Sequence, residues 1–206
     1  MSGGYEEGYK NCPCFWGREP GSLLKILSNF KTDFRNLRVL DLGCGEGKNS
    51  IYFARRGAFV RALDISKKAI ENAKKAWPDD KQILWEIADA ESIELLKEEH
   101  DIVVSYGLLH CLKSKENIIE LIEKLKKTTK TGGYQIVCAF NDRFQDLSAH
   151  PGFNPTLLSH SFYLKSFSDW EILNVSDSDL EETHPHNNLK HKHSLTRLIA
   201  RKANKK

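Results

Sequence analysis

Short apolar runs alternate with stretches of helical periodicity along most of the chain. The apolar runs predict β-strands at 39–42, 59–64, 83–87, 101–105 and 134–140. Apolar residues spaced three and four apart predict helices at 49–56, 67–76 and 115–128. Because helices follow strands in turn, the right-handed crossover rule predicts an α/β protein with a doubly wound, mostly parallel sheet covered on both faces.

The C-terminal third has a different pattern. Residues 141–155 are polar and predict a long loop over the mouth of a pocket, followed by a helix at 161–167. Apolar stretches at 170–175 and about 193–200 predict two further strands. The sheet is therefore expected to have seven strands.

The N-terminal part divides in two. Residues 1–21 are rich in glycine and aromatic side chains without a repeat, which predicts an arm pinned against another surface. Ser22 suits the N-cap of a helix whose apolar residues are Leu23, Leu24, Ile26, Leu27 and Phe30. We expect an arm over 1–21 and one domain over 22–206, since a chain of 206 residues has little room for a second.

A glycine-rich turn joins the first strand to the first helix. Its sequence is Asp41-Leu-Gly-Cys-Gly-Glu-Gly47, and such a turn lets the backbone pass close to a ligand while the helix start offers unpaired N–H groups. A carboxylate at Asp41 would repel a pyrophosphate and suits a cationic ligand. The spacing Gly-x-Gly-x-Gly also lacks the third glycine of the dinucleotide fingerprint. Both features favour S-adenosylmethionine over NAD.

Asp64 ends the second predicted strand. A carboxylate at that position can accept both ribose hydroxyls of an adenosine. The adenosine ribose of NAD could bind this carboxylate equally well. Asp64 therefore predicts a nucleoside ligand but does not distinguish S-adenosylmethionine from NAD.

The turn resembles the first motif of class I S-adenosylmethionine-dependent methyltransferases, and the resemblance continues through about residue 140. It implies a Rossmann-like, doubly wound, mostly parallel seven-stranded sheet with a C-terminal antiparallel hairpin, and S-adenosyl-L-methionine as cofactor. Together with the residue pattern it indicates a set of cofactor-binding residues, which are Trp16, Arg18, Asp41, Gly43, Cys44, Gly45, Asn49, Asp64, Ile65, Asp89, Ala90, Ser105 and Tyr106.

Two of these assignments have open alternatives. Asp89 and Ala90 match the positions that meet adenine in the family, but Asp89 is also a suitable cap for a helix starting near Ser92. Trp16 and Arg18 would lie near the ligand if the arm closes over the cofactor pocket, as it does in relatives. The arm would otherwise rest only on the domain's own surface.

The segment between the last two strands is rich in histidine and glutamate. If Asn187-Asn188 forms a two-residue turn, His184 faces His191 and Glu182 faces His193. Three interpretations remain open: a metal site, an active-site rim that handles protons or an anionic acceptor, and a solvated hairpin. We assign no metal ligands from the sequence.

The second half resembles tellurite-resistance methyltransferases of the TehB type. The matching stretches are Trp170-Glu-Ile-Leu173, Glu182-Thr-His184 and Leu198-Ile-Ala-Arg-Lys202, although Pro185 stands where those relatives have arginine. The resemblance implies a small-molecule acceptor such as tellurite, selenite or a thiol. By contrast, Ser105-Tyr-Gly-Leu108 lacks the prolines of the tetrapeptide in methyltransferases that act on nucleic-acid bases.

The nature of the acceptor decides which catalytic groups are needed. An anionic acceptor needs no general base, and Arg143 could hold it. A neutral hydroxyl or amine would need a base, for which His184, His191 and Tyr106 are the candidates. Two other functions stay open, namely a non-enzymatic S-adenosylmethionine sensor or scaffold and an NAD-dependent oxidoreductase.

Composition and charge limit the partners and the cellular compartment that we expect for this protein. The net charge of +3 comes without a single basic stripe, so no nucleic-acid partner is expected. No apolar run is long enough for a bilayer and the N-terminus lacks a signal-peptide pattern, which predicts a cytoplasmic protein without a membrane partner. The five cysteines, including Cys12-Pro-Cys14, do not form a disulfide pattern. A monomer and a homodimer both remain possible.

Overall fold

A single seven-stranded sheet organises the part of the chain that the computed structural model describes, residues 5–184 and 188–203. The strand order is β3-β2-β1-β4-β5-β7-β6. The four pairings along β3-β2-β1-β4-β5 are parallel, and β7 lies antiparallel between β5 and β6. The strands are β1 Arg38–Leu42, β2 Phe59–Asp64, β3 Ile83–Ile87, β4 His100–Tyr106, β5 Thr129–Gln145, β6 Glu171–Glu182 and β7 His191–Arg201.

The helices cover both faces of this sheet. They are α1 Glu6–Asn11, α2 Ser22–Leu27, α3 Lys48–Ala54, α4 Lys67–Ala76, α5 Lys115–Thr128 and α6 His160–Ser166. Alternation along the strands feeds two apolar cores, because Val39 packs with α2, α3 and α4 whereas Leu40 packs with α5 and α6. The predicted fold class is confirmed. None of the helices in the described ranges is long and apolar enough to cross a membrane.

Three local predictions are wrong. β5 continues five residues beyond the predicted end at 140, so the predicted loop begins with strand, and its register against β7 shifts between Phe140 and Gln145. Gly21, not Ser22, is the N-cap of α2. The predicted pairing of the last hairpin is also wrong, because Glu182 pairs with His191 and Leu180 with His193. Asn187 of the predicted turn lies outside the described residues.

The N-terminal arm is attached through one buried carboxylate. Glu46, inside the glycine turn, accepts hydrogen bonds from the backbone N–H groups of Cys14 at 2.8 Å and Phe15 at 2.6 Å, and from Asn72 Nδ2 at 2.9 Å. Tyr9 and Phe15 of the arm are buried and pack with Ala69 of α4. The arm therefore packs onto the turn itself, while the division at residue 21 stays a prediction.

Candidate active site

A cavity of about 390 Å³ lies at the carboxyl edge of the parallel strands. Residues that follow β1, β2, β3 and β4 line it, together with parts of β5, β6, β7 and the arm. Open α/β sheets bind ligands at this edge, where the strand order reverses between β1 and β4. Of the predicted cofactor residues, the cavity is lined by Trp16, Gly43, Cys44, Gly45, Asn49, Asp64, Ile65, Asp89, Ala90 and Tyr106.

The glycine turn has the backbone that the sequence predicts. Gly43, Gly45 and Gly47 all have positive φ, at 68°, 54° and 81°. A Cβ on Gly45 would lie 2.9 Å from Tyr9 Oη, so only glycine leaves room for both the arm and a ligand. The backbone N–H of Gly45 donates to Asp64 Oδ2 at 2.8 Å. The turn thereby fixes the carboxylate at the tip of β2.

Asp64 is held on both oxygens. Its Oδ1 accepts the backbone N–H of Ser66 at 2.8 Å, so each oxygen keeps one further lone pair. Burial raises the pKa of Asp64 from its ordinary value, and the two backbone hydrogen bonds act in the opposite direction. A cavity lined by a fixed carboxylate and a turn without side chains fits the ribose and the aminoacyl part of S-adenosylmethionine.

Asp89 occupies the matching place after β3. Its Oδ1 accepts the N–H of Glu91 at 2.9 Å, and no helix begins near Ser92 in the described chain. The helix-cap alternative is therefore wrong. Asp89 and the apolar Ile65 and Ala90 line the same end of the cavity as Asp64, where an adenine ring can be held by one polar edge and two apolar faces.

Three predicted cofactor residues do not line the cavity. Asp41 is buried beneath the turn and accepts a hydrogen bond from Ser50 Oγ at 2.6 Å. Ser105 is buried within β4. The guanidinium of Arg18 lies over the ring of Trp77, 5.2 Å from its centroid, because a cation favours an aromatic face at the surface.

The opposite end of the cavity lies on the β5 and β7 side of the sheet. Tyr106, Cys138, Glu182 and Arg197 line it. Arg197 Nη1 donates to Ser178 Oγ at 2.7 Å, whereas its buried Nε has no hydrogen-bond partner within the described ranges. Burial raises the pKa of Tyr106 to about 12, so its phenol stays protonated at neutral pH. A protonated phenol donates a hydrogen bond and does not serve as a base.

The arginine predicted for an anionic acceptor lies elsewhere. Arg143 Nε bonds Asp177 at 2.8 Å and its Nη2 bonds Asp179 at 2.6 Å, and the side chain is 45% exposed. Two carboxylates hold it at the surface, away from the cavity. Among these two arginines, Arg197 lines the cavity and Arg143 does not.

The hairpin histidines gather behind Glu182 and do not line the cavity. His191 Nε2 lies 3.6 Å from Glu182 Oε1, and His184 Nε2 lies 3.9 Å from the same oxygen. His150, from the loop after β5, reaches His191 Nε2 at 3.1 Å and His184 Nε2 at 3.3 Å. The register error of two residues leaves every side chain on the same face of the sheet, so the predicted neighbours still meet.

Sequence reasoning missed several groups. Glu46 stands at a variable position of the glycine motif, and Lys48, Arg197 and His150 were given no role. Side chains alternate between the two faces of β7, so Arg197 lies on the same face as His191 and His193. This alternation is the sequence signal from which a role for Arg197 could have been predicted. Nothing in the sequence near His150 indicates that its loop folds back to the hairpin.

The attachment of the arm gives a testable consequence. We expect Glu46→Gln to speed tryptic cleavage at Lys10 and Arg18 by at least about ten-fold, because one amide oxygen replaces a carboxylate that holds two backbone N–H groups. Limited proteolysis followed by mass spectrometry measures this. Glu123→Gln is the control, because Glu123 is an exposed glutamate of α5, outside the arm and far in sequence from both cleavage sites. Equal cleavage of Glu46→Gln and wild type would contradict the proposed attachment.

Comparison with known proteins agrees with this site. A family model described as a methyltransferase domain matches residues 39–133. TehB of Haemophilus influenzae, described as a probable S-adenosyl-L-methionine-dependent methyltransferase, is 28% identical over 171 residues, which cover 80% of this chain and 57% of TehB. The magnesium-protoporphyrin O-methyltransferase of Rhodobacter capsulatus is 44% identical over 55 residues, covering 27% of this chain and 25% of that protein.

Solved structures share the fold. The crystal structure of Haemophilus influenzae TehB superposes with a TM-score of 0.72 at 22% identity and covers 88% of this chain and 62% of that one. An S-adenosylmethionine-dependent methyltransferase from Methanosarcina mazei superposes with a TM-score of 0.70 at 19% identity, covering 87% and 98%. Sequence identities of 22% and 19% show that this chain shares the fold of these proteins and nothing more specific.

Residues 39–133 match a methyltransferase domain, and the described chain has the fold of class I S-adenosylmethionine-dependent methyltransferases. The resemblance found in the sequence is confirmed, and the matched domain and relatives imply a methyltransferase with S-adenosylmethionine as its cofactor. TehB is a relative that matches most of this chain, and the chain spans less than two thirds of TehB. The acceptor and the activity of the whole protein therefore belong to the proposal that follows.

Proposed function

We propose that this protein transfers the methyl group of S-adenosylmethionine to a small anionic acceptor, such as a chalcogen oxyanion like tellurite or selenite, or a thiolate. One observation carries the proposal. One cavity is lined by fixed carboxylates on the β2 and β3 side, at Asp64 and Asp89, and by a partly buried arginine on the β5 and β7 side, at Arg197.

The carboxylate end supports binding of the nucleoside. Asp64 has lone pairs beyond those that accept the backbone N–H groups of Gly45 and Ser66, and these would accept hydrogen bonds from two ribose hydroxyls. Arm residues Tyr9 and Trp16 line the cavity beside the glycine turn and exclude water from it. S-adenosylmethionine supplies an activated methyl group, so the protein has mainly to align the acceptor with it in a dry site.

The arginine end supports an anion. Arg197 Nε is a buried donor without a partner in the described part of the chain, and buried donors are normally satisfied. Lys48 also lines the cavity, with its Nζ donating to the carbonyl of Trp16 at 2.9 Å. An oxyanion or thiolate beside Arg197 would complete the unmet hydrogen bond. Such an acceptor needs no general base, which agrees with a Tyr106 that stays protonated.

The test is formation of S-adenosylhomocysteine with a panel of tellurite, selenite, a small thiol, a catechol and an amine. We expect turnover with one or more of the anionic or thiol acceptors. Arg197→Met should raise the KM for that acceptor at least about ten-fold and leave the affinity for S-adenosylmethionine unchanged, because one charge-assisted hydrogen bond is lost. Arg143→Met is the control, since Arg143 is paired at the surface.

Other outcomes would overturn the proposal. Turnover confined to the catechol or the amine would contradict an anionic acceptor. Binding of S-adenosylmethionine without turnover across the panel would favour a sensor or scaffold. Binding of NAD with hydride transfer would favour an oxidoreductase.

A further inference from the structure

Four side chains that can bind a metal converge behind the wall of the cavity. They are His150 from the loop after β5, Glu182 at the end of β6, and His191 and His193 at the start of β7. One ligand atom from each lies within 4.8 Å of all the others. The three imidazoles are buried, and Glu182 is partly exposed toward the cavity that it lines.

Hydrogen bonds behind His191 and His193 determine which nitrogen of each ring faces the centre. His191 Nδ1 lies 2.9 Å from the carbonyl oxygen of Leu189. A carbonyl can only accept, so Nδ1 carries the proton and the neutral ring presents a lone pair at Nε2. Protein metal sites that use imidazole have this arrangement, in which an outer acceptor orients the ring.

His193 is oriented in the same way. Its Nδ1 lies 2.8 Å from Gln145 Oε1, and the amide of Gln145 is itself oriented because its Nε2 donates to two carbonyl oxygens, of Asn141 at 2.7 Å and Ser194 at 2.8 Å. The Nε2 of His193 therefore presents a lone pair. That atom is buried and has no hydrogen-bond partner among the described residues, so it points into the cluster unsatisfied.

The spacing of the ligand atoms matches a metal site. Around zinc with bonds of about 2.0–2.1 Å, adjacent ligand atoms of a tetrahedron lie about 3.3 Å apart. Here His150 Nε2 and His191 Nε2 are 3.1 Å apart, and His191 Nε2 and Glu182 Oε1 are 3.6 Å apart. His193 Nε2 lies 3.9 Å from the same oxygen. The widest separation among the four ligand atoms is at most 4.8 Å. Side-chain movements of about 1 Å would therefore bring all four atoms to one ion, given the tetrahedral edge of about 3.3 Å.

We propose that His150, Glu182, His191 and His193 bind one divalent transition-metal ion, of which Zn²⁺ is the representative. Three imidazoles and one carboxylate suit zinc and its neighbours, whereas magnesium and calcium prefer oxygen ligands throughout. Four protein ligands fill a tetrahedral sphere, as in structural zinc sites. The ion ties the loop after β5 to the β6–β7 hairpin.

The site also explains how the hairpin is joined to the arm. His184 stacks on Phe15, with ring centroids 4.9 Å apart, and its Nε2 lies 3.3 Å from His150 Nε2. Glu182 belongs to the cluster and to the cavity wall at once. The ion would therefore hold Glu182 in place at the acceptor end of the cavity, a consequence that rests on the proposed function, whereas metal binding itself does not.

The experiment uses the full chain without a polyhistidine tag. Plasma mass spectrometry of protein purified without added metal should find about one transition-metal ion per chain, as expected for a structural site. After treatment with a chelator, Zn²⁺ should raise the melting temperature, and Co²⁺ should give the visible absorption of a tetrahedral site. His193→Gln and Glu182→Gln should weaken Zn²⁺ binding at least about ten-fold.

Matched variants separate this site from others. His100→Gln replaces a buried histidine that bonds Thr128 at the opposite end of the sheet, and it should bind Zn²⁺ like wild type. The double variant Cys12→Ser with Cys14→Ser should also bind Zn²⁺ like wild type, which excludes this partly buried pair of thiols as the ligands. Calorimetry with S-adenosylmethionine checks folding, because Asp64 lies outside the cluster.

Two results would overturn the proposal. One is wild-type protein without bound metal whose melting temperature does not respond to Zn²⁺ or Co²⁺, a measurement that needs no variant. The other is Zn²⁺ binding that survives in folded His193→Gln and Glu182→Gln. Failure of methyl transfer with metal still bound would count only against the proposed function.

Discussion

Asp64→Ala is expected to weaken binding of S-adenosylmethionine by at least about 100-fold. Hydrogen bonds to a charged group contribute about 1.5–3 kcal/mol each, and the variant removes two between the carboxylate and the ribose. The loss is expected at the ribose end of the ligand, because Asp64 lines the cavity and the backbone N–H groups of Gly45 and Ser66 fix its carboxylate. Isothermal titration calorimetry with S-adenosylmethionine and S-adenosylhomocysteine measures it.

Two variants control for the structural role of Asp64. Asp64→Asn keeps one oxygen for a backbone N–H and should lose less affinity than alanine. Asp79→Ala replaces an exposed aspartate and should leave the affinity unchanged. If folded Asp64→Ala bound S-adenosylmethionine within about three-fold of wild type, the nucleoside would not lie at the tip of β2, since even one such hydrogen bond is worth about ten-fold.

Asp41→Asn is expected to raise the free energy of unfolding above pH 7 by roughly 2–4 kcal/mol. Burial raises the pKa of Asp41 from 3.8 to about 7, and Ser50 Oγ opposes this shift by donating to the carboxylate. Between these two values the folded state binds more protons than the unfolded state. Stability contributed by Asp41 therefore falls as pH rises from about 4 to about 7, and the loss is complete above that range.

Urea unfolding at pH 5 and pH 8 tests this prediction. Wild type should lose stability between the two values relative to Asp41→Asn, and the exposed control Asp79→Asn should follow wild type. If Asp41→Asn stabilised the protein no more at pH 8 than at pH 5, the charged carboxylate of Asp41 would not destabilise the folded state, and the prediction would be wrong. Because Asp41 lies beneath the turn and not in the cavity, the variant should still bind S-adenosylmethionine.

The strands and helices of the sheet could be predicted because each is specified by residues within its own segment. Strands such as β2 and β3 and the helices α4 and α5 have the predicted bounds, since an apolar run between turn residues or a helical stripe specifies each. The cofactor end of the cavity was predictable for a similar reason. The glycine turn, Asp64 and Asp89 all follow directly on strands whose carboxyl ends meet at one edge.

The rest of the site depends on contacts between distant segments. Asp41 looks exposed beside glycines, but Ser50 and the overlying turn bury it. The sequence analysis chose Arg143, which the carboxylates of Asp177 and Asp179 hold at the surface, and gave no role to Arg197, which lines the cavity. His150 reaches the hairpin by loop packing that has no local signature.

The central claim is that this cavity binds S-adenosylmethionine, and calorimetric titration of the wild-type chain with S-adenosylmethionine, S-adenosylhomocysteine and NAD tests it most directly. We predict saturable binding of the first two with one site per chain and a dissociation constant on the order of micromolar, corresponding to about 8 kcal/mol, with no heat from NAD. Binding of NAD alone, or of none of the three, would contradict the account.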